Sequence, residues 1–236
     1  TQSQMKMRVD PKTSKVIYDV IGNVISFDGD IFKKETENSP SKRIGINFGI
    51  KKGDLITTGN NSYVKIKLID GTIISLGPES YFSFKDFNFE NITNRNAIFD
   101  LLKGKMRVKV INKIEKGKLK FNTMTLSLGV RGTEFLASQE FEKNGLSKEQ
   151  IVLLSGEISV RGKKTSFQKS LKEGSLLQAT YNQEQGIKTK ISQLTNEQKN
   201  YLILPIEEGS AFLNFINTNI DNKDEKRVLK VLRSNF

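Results

Sequence analysis

Short aliphatic runs punctuated by glycine constrain this chain more than any other feature of it. The densest case is Leu128-Gly129-Val130-Arg131-Gly132-Thr133-Glu134-Phe135. Lys52-Gly53-Asp54-Leu55-Ile56-Thr57-Thr58-Gly59 stands upstream of it and Leu154-Ser155-Gly156-Glu157-Ile158 downstream. Glycine takes a positive φ without a Cβ clash, so it falls where an extended chain has to bend. From Val16 to about Lys190 such runs alternate with Gly, Asn and Asp turns. Asp28-Gly29 and Asp70-Gly71 read as tight hairpins, and Gly77-Pro78 and Ser155-Gly156 as further reversals. The pattern predicts an all-β fold, a mainly antiparallel sandwich or roll of many short strands.

Two runs alternate with period two. Val64, Ile66 and Leu68 share one face of a strand, with Lys65 and Lys67 on the other. Leu102, Gly104, Met106, Val108 and Val110 are expected to face inward, and Lys103, Lys105, Arg107 and Lys109 outward. The flanks read differently. Residues 1–15 are polar and basic, a tail or a loosely held first strand. The β domain spans 16–190. Beyond it, Thr195-Asn196-Glu197-Gln198 has the form of a capping box. Pro205 and the apolar spacing of Val228, Leu229, Val231 and Leu232 predict a small helical extension over 191–236.

Composition excludes much chemistry. The chain has 236 residues and no Cys and no His. Disulfides, thiol nucleophiles, Cys/His zinc sites and imidazole acid–base catalysis are therefore absent. No catalytic, cofactor-binding or metal-binding residues are expected. No apolar run reaches the roughly 18–20 residues of a membrane-spanning helix. Lys and Arg total 38 against 26 Asp and Glu, a net charge of +12. That favours anionic partners, although abundant Lys, Asn and Ile together are also what AT-rich coding produces, and this compositional account is preferred. The first residue, Thr1, is read as a processed start.

In order, the chain places Gly22-Asn23-Val24, the Lys52–Gly59 run and Ser62–Ile66 ahead of Asp70-Gly71-Thr72-Ile73-Ile74-Ser75-Leu76-Gly77-Pro78. Leu102–Val108, Phe121-Asn122-Thr123, Gly129–Phe135, Val152–Ile158 and Leu171-Lys172-Glu173-Gly174 follow. This collinear series resembles the FecR domain, a bacterial cell-envelope module. The resemblance implies a periplasmic or otherwise extracytoplasmic location after removal of a signal peptide. It also implies a non-enzymatic sensory, regulatory or scaffolding role through a protein partner, such as a receptor or signalling protein. The best-known member relays a signal from an outer-membrane iron-siderophore receptor to a sigma factor. This chain shows neither that regulator's spanning helix nor its cytoplasmic segment, which predicts a free or lipid-anchored periplasmic protein.

Within the resemblance, Gly53, Asp54, Gly59, Asp70, Gly71, Gly129, Arg131, Gly132, Thr133 and Gly156 are the motif residues, and a structural role is expected for them. Arg131 could offer its guanidinium to a carboxylate or phosphate, but bonding to loop carbonyls or Glu134 is preferred. The stripe Lys103, Lys105, Arg107, Lys109 is the candidate for the alternative function, binding an anionic envelope polysaccharide or lipid surface. A solvated strand face that discourages edge-to-edge pairing is preferred there. Nucleic acid is disfavoured because no aromatic residue lies between Lys103 and Lys120 to stack a base. Asp54, Asp70, Asp86 and Asp100 fit turn chemistry better than a Ca²⁺ loop. Phe82, Phe84, Phe87 and Phe89 read as a shared apolar wall.

Overall fold

The computed structural model describes residues 7–9, 11–12, 16–36, 38–142, 145–196 and 198. In chain order the strands open with β1 (Met7–Val9), β2 (Val16–Tyr18), β3 (Gly22–Asp28), β4 (Ile31–Lys34), β5 (Lys42–Arg43) and β6 (Gly49–Ile50). Then come β7 (Leu55–Thr58), β8 (Tyr63–Leu68), β9 (Ile73–Leu76), β10 (Tyr81–Asn91), β11 (Asn94–Lys109), β12 (Lys116–Asn122) and β13 (Leu126–Val130). The last are β14 (Glu134–Phe141), β15 (Ser147–Ser155), β16 (Glu157–Gly162), β17 (Gln168–Lys172), β18 (Ser175–Asn182) and β19 (Gly186–Gln193). No helical element occurs among the described residues, so the all-β expectation holds there.

β1 and β2 form a separate hairpin, and the other strands form one continuous system folded into two layers. The first layer runs β6-β3-β8-β9-β11-β14-β15-β18-β19. The second runs β5-β4-β7-β10-β11-β12-β13-β16-β17. β11 belongs to both. Residues 94–103 pair in the second layer and 104–109 in the first. All the pairings are antiparallel except β11 with β12. The chain lays a strand or a hairpin on one layer, crosses, and lays the next on the other.

That winding changes the reading of several turns. Asp70-Gly71 is a hairpin, joining β8 to β9 with Gly71 at φ 86°. Asp28-Gly29, Gly77-Pro78 and Ser155-Gly156 are corners between layers, since the strands flanking each do not pair. Gly29 at 74° and Gly156 at 86° have the positive φ expected of them. A left-handed residue sharply redirects the chain whether or not the next strand pairs with the last.

The core lies between the layers. Phe82, Phe84, Phe99, Phe121 and Phe135 are fully buried. The Phe121 and Phe135 rings meet edge to face at 5.3 Å across the two layers. Val64, Ile66 and Leu68 point inward, as their period requires. β11 corrects the expected phase. Ala97, Phe99 and Leu101 are buried, as are Met106 and Val108, but Leu102 is 37% exposed. Tyr81 pairs with Lys103 while Phe82 pairs with Leu101, so Leu102 is the extra residue of a β-bulge. A bulge shifts alternation by one and bends the strand, which is what moves β11 from one layer to the other.

At the far end β19 extends to Gln193, taking the first residues of the span expected to be helical. Thr195 and Gln198 make the reciprocal bonds of a capping box: Thr195 N–H donates to Gln198 Oε1 at 2.8 Å, and Gln198 N–H to Thr195 Oγ1 at 3.2 Å. The rest of the expected helical extension lies outside the described residues.

Candidate functional site

Many of the motif residues gather on the loop Val110–Glu115, the crossover between the parallel strands β11 and β12. Asp70 and Arg95 are both fully buried, with Arg95 Nε 2.5 Å from Asp70 Oδ2. Asp70 also accepts from the Thr72 N–H at 2.8 Å and the Thr72 hydroxyl at 2.9 Å. Arg95 donates to the Ile92 carbonyl and, at 2.7 Å, to that of Asn112. Asn112 donates its side-chain N–H to the Asp70 carbonyl at 2.8 Å. Gly71 faces Asn112 so closely that a Cβ would sit 3.0 Å from its Nδ2.

On the other flank of the loop, Arg131 Nε donates to the Ile114 carbonyl at 2.6 Å, and its Nη2 to that of Glu115 at 3.3 Å. Glu134 is engaged elsewhere. Gly132, at φ 106°, stacks on Lys113, and a Cβ on Gly156 would meet the Gly132 carbonyl at 2.7 Å and Thr133 Cγ2 at 2.8 Å. Thr133 accepts the Val110 N–H at 2.8 Å on its carbonyl. Gly129 lies within β13, opposite Ser159 of β16. Gly53, Asp54 and Gly59 stand apart around β7. The Asp54 carboxylate accepts the Lys51 N–H at 2.8 Å and pairs with Lys33 Nζ at 3.0 Å. Gly59 N–H bonds the Asp30 carbonyl at 2.8 Å. These groups are spent on backbone and on one another. They clamp corners and present no set of groups converging on a ligand.

The basic stripe does not form one open face. Lys103 and Lys109 are exposed, 4.0 Å from Glu79 and 3.3 Å from Glu134 respectively. Arg107 Nε donates to Glu134 at 2.7 Å. Lys105 is buried, 6% exposed. Burial lowers its pKa, and the negative charges of Glu140 and Glu79 oppose that shift. The bulge at Leu102 explains the difference, because it places Lys103 and Lys105 on different layers.

Sequence reasoning missed a second polar cluster, which pins the β12–β13 hairpin to β14 and β15. Glu149, 1% exposed, accepts the Thr125 N–H at 2.8 Å, its hydroxyl at 2.9 Å, and the Thr123 hydroxyl. Gln139, with no exposed surface, accepts the Met124 N–H and donates to Ser147 Oγ, each at 2.8 Å. Lys163 donates to the Thr123 carbonyl at 2.5 Å. Burial raises the Glu149 pKa, partly offset by the Thr123 and Thr125 bonds and by the charge of Lys163. Only Phe121-Asn122-Thr123 hinted at this place; nothing in the spacing ties residue 149 to it. Among the described residues no group of Asp and Glu is gathered to hold a metal ion.

A groove of about 1230 Å³ lies between the β1–β2 hairpin and β10, with Tyr18, Phe87, Phe89, Arg8 and Lys52 along it. Arg8 pairs with Asp19 at 3.3 Å and Lys52 with Asp86 at 2.5 Å, so these two cations are matched.

The sheet edges remain. β5 and β6 close one end with two residues each. At the other end stand β17, of five residues, and β19, of eight. Among the described residues β19 pairs only with β18. Lys188, Thr189 and Lys190 on it are exposed, and Ile191 is 43% exposed. Among the described residues, one side of its backbone is thus a row of N–H and C=O groups without a ladder partner, the geometry that accepts an added strand.

Comparison with known proteins adds the following. A family model described as FecR protein matches residues 54–159. No curated protein matches the chain. The solved structures to which this chain is similar include two crystal structures provisionally described as an anti-sigma factor from Parabacteroides distasonis. One is 15% identical over 62% of this chain and 63% of its own, with a TM-score of 0.47. The other is 14% identical over 62% of each, with a TM-score of 0.48. The chain thus spans less than two thirds of those proteins. Among the described residues no helix is long and apolar enough to cross a membrane.

Proposed function

We propose, for a chain that carries a FecR domain, a non-enzymatic role as a regulatory or scaffolding module of the bacterial cell envelope, acting through a protein partner. The domain match over residues 54–159 carries this reading. The edge of β19 supplies the mechanism: a partner strand adds there, main-chain bonds give affinity, and the flanking Lys188, Lys190 and Ile191 select its side chains. The periplasm is the proposed compartment. The clamped corners keep the edge stiff, so the partner meets a preformed surface and little ordering entropy is lost on binding.

The test places a photo-crosslinking residue at Thr189, on the edge strand, or at Lys120, on the exposed face of the second layer, in cells. One discrete protein adduct from Thr189 and none from Lys120 is expected. Equal adducts from both sites, or crosslinks only to polysaccharide or lipid, would sink the proposal.

A further inference from the structure

β10 loses one of its two neighbours partway along. β7 pairs with it at Tyr81, Phe82 and Ser83. The last main-chain bonds on that side run from the Phe84 N–H to the Asp54 carbonyl at 2.9 Å and from the Gly53 N–H to the Phe84 carbonyl at 2.7 Å. β11 continues along the opposite side as far as the Asn91–Asn94 pair. Among the described residues, no strand therefore pairs with the β7 side of β10 from Lys85 onward. The Phe87 N–H turns instead to the Asp86 carboxylate, at 3.0 Å.

The groove beside the β1–β2 hairpin runs along this stretch of β10. β2 stands across it without joining the sheet: the Tyr18 and Phe89 rings meet edge to face at 5.5 Å, but β2 makes its ladder with β1. At about 1230 Å³ the space exceeds the roughly 300–1,000 Å³ of a small-molecule pocket. An extended segment of about six residues, roughly 20 Å long, would match residues 85–90. The lining is part apolar and part basic. Val16, Tyr18 and Phe89 offer apolar surface, and the exposed Arg8, Lys51, Lys52 and Lys85 outnumber the carboxylates of Asp19 and Glu90. Lys85 is 3.7 Å from Asp100 with 62% of its side chain exposed, and Lys51 makes no ion pair among the described residues.

We propose that this groove takes an extended acidic segment of a partner protein, which adds to β10 as a strand. The unpaired edge supplies main-chain donors and acceptors, and these set the extended conformation. The excess of cations around the groove selects negative charge. Side chains of a strand alternate in direction, so carboxylates reach Lys51 and Lys85 while the residues between them rest on Val16, Tyr18 and Phe89. Lysine on a bare edge can serve simply to deter pairing, but the apolar surface beside it here works against that purpose. The groove belongs to the second layer and the β19 edge to the first, so neither site depends on the other.

The test uses the full chain and a fluorescein-labelled peptide of alternating Glu and Val, with alternating Lys and Val as its control, read by anisotropy. The acidic peptide is expected to bind about tenfold or more tightly than the basic one, and to lose that advantage in the Lys51→Glu, Lys85→Glu double variant. N-methylation of one alternate set of its amides should abolish binding, and of the other set spare it, because a strand offers its bonds to β10 from one side. A photoreactive version should crosslink to residues 85–90. Equal affinity for the two peptides, or no binding of either, would overturn the proposal. So would indifference to N-methylation, or crosslinks to β18 and β19, which would place the peptide at the other edge; neither result depends on how the double variant folds.

Discussion

Arg95 has no exposed surface, and its charge is met inside the protein by Asp70 and two carbonyls. Replacing one member of such a pair strands the other in a medium that cannot solvate it. Arg95→Ala is expected to cost about 3–5 kcal/mol in urea denaturation, and Arg95→Ala with Asp70→Ala clearly less than the sum of the two single losses. The turn half of this unit was legible, because Asp-Gly before Thr has a local explanation. The Arg95 half was not, since no local rule connects a residue of β11 with the β8–β9 turn. Glu149 poses the same problem with a pH signature. Its pKa is raised from its ordinary 4.5 by burial. The folded state therefore holds this proton to higher pH than the unfolded chain does. The contribution is fully present below the unfolded pKa and is lost as pH rises through the folded one. Stability of the wild type minus that of Glu149→Gln is expected to decrease from pH 4 to pH 7; a flat difference in denaturant titrations would refute this.

At the scale of elements, β11 does the most. It is a 16-residue strand that leaves one layer for the other at Gly104. Gly104 has φ 92°, and a Cβ there would lie 2.4 Å from Ser80 Cα. Ser80 holds the crossing by accepting the Lys105 N–H at 2.9 Å and donating to the Lys105 carbonyl at 3.1 Å. Gly104→Ala is expected to destabilise by at least about 2 kcal/mol, from positive-φ strain together with overlap. Adding Ser80→Gly should not restore the loss, because the Cα remains in the way; recovery of the wild-type melting temperature would disprove the steric account. Period two made β11 visible as a strand, and it also hid the crossing. A regular alternation drawn through Leu102 puts Lys103, Lys105, Arg107 and Lys109 on one face. One unpaired residue was enough to separate them, and no residue type announces a bulge.

At the scale of the molecule, a strand shared by both layers leaves no line along which they could separate. The two halves of the core also meet through Phe99, Phe121 and Phe135, with centroid separations of 4.8 and 5.3 Å. A single cooperative transition is expected. In native-state hydrogen exchange, amides of β14 in the first layer and β13 in the second should merge at one global free energy; two separate plateaus would contradict it. That the chain is all strand was legible from its turns. Which layer each strand joins was not, because the same Asp-Gly pair makes a hairpin at 70–71 and a corner at 28–29. The order of winding also has a bearing on synthesis. β9 pairs with β8 and with residues 106–109, so the growing first sheet ends in an unpaired strand until that stretch has left the ribosome. Until then the nascent chain carries a raw border that a chaperone, or a neighbouring polypeptide, is free to occupy.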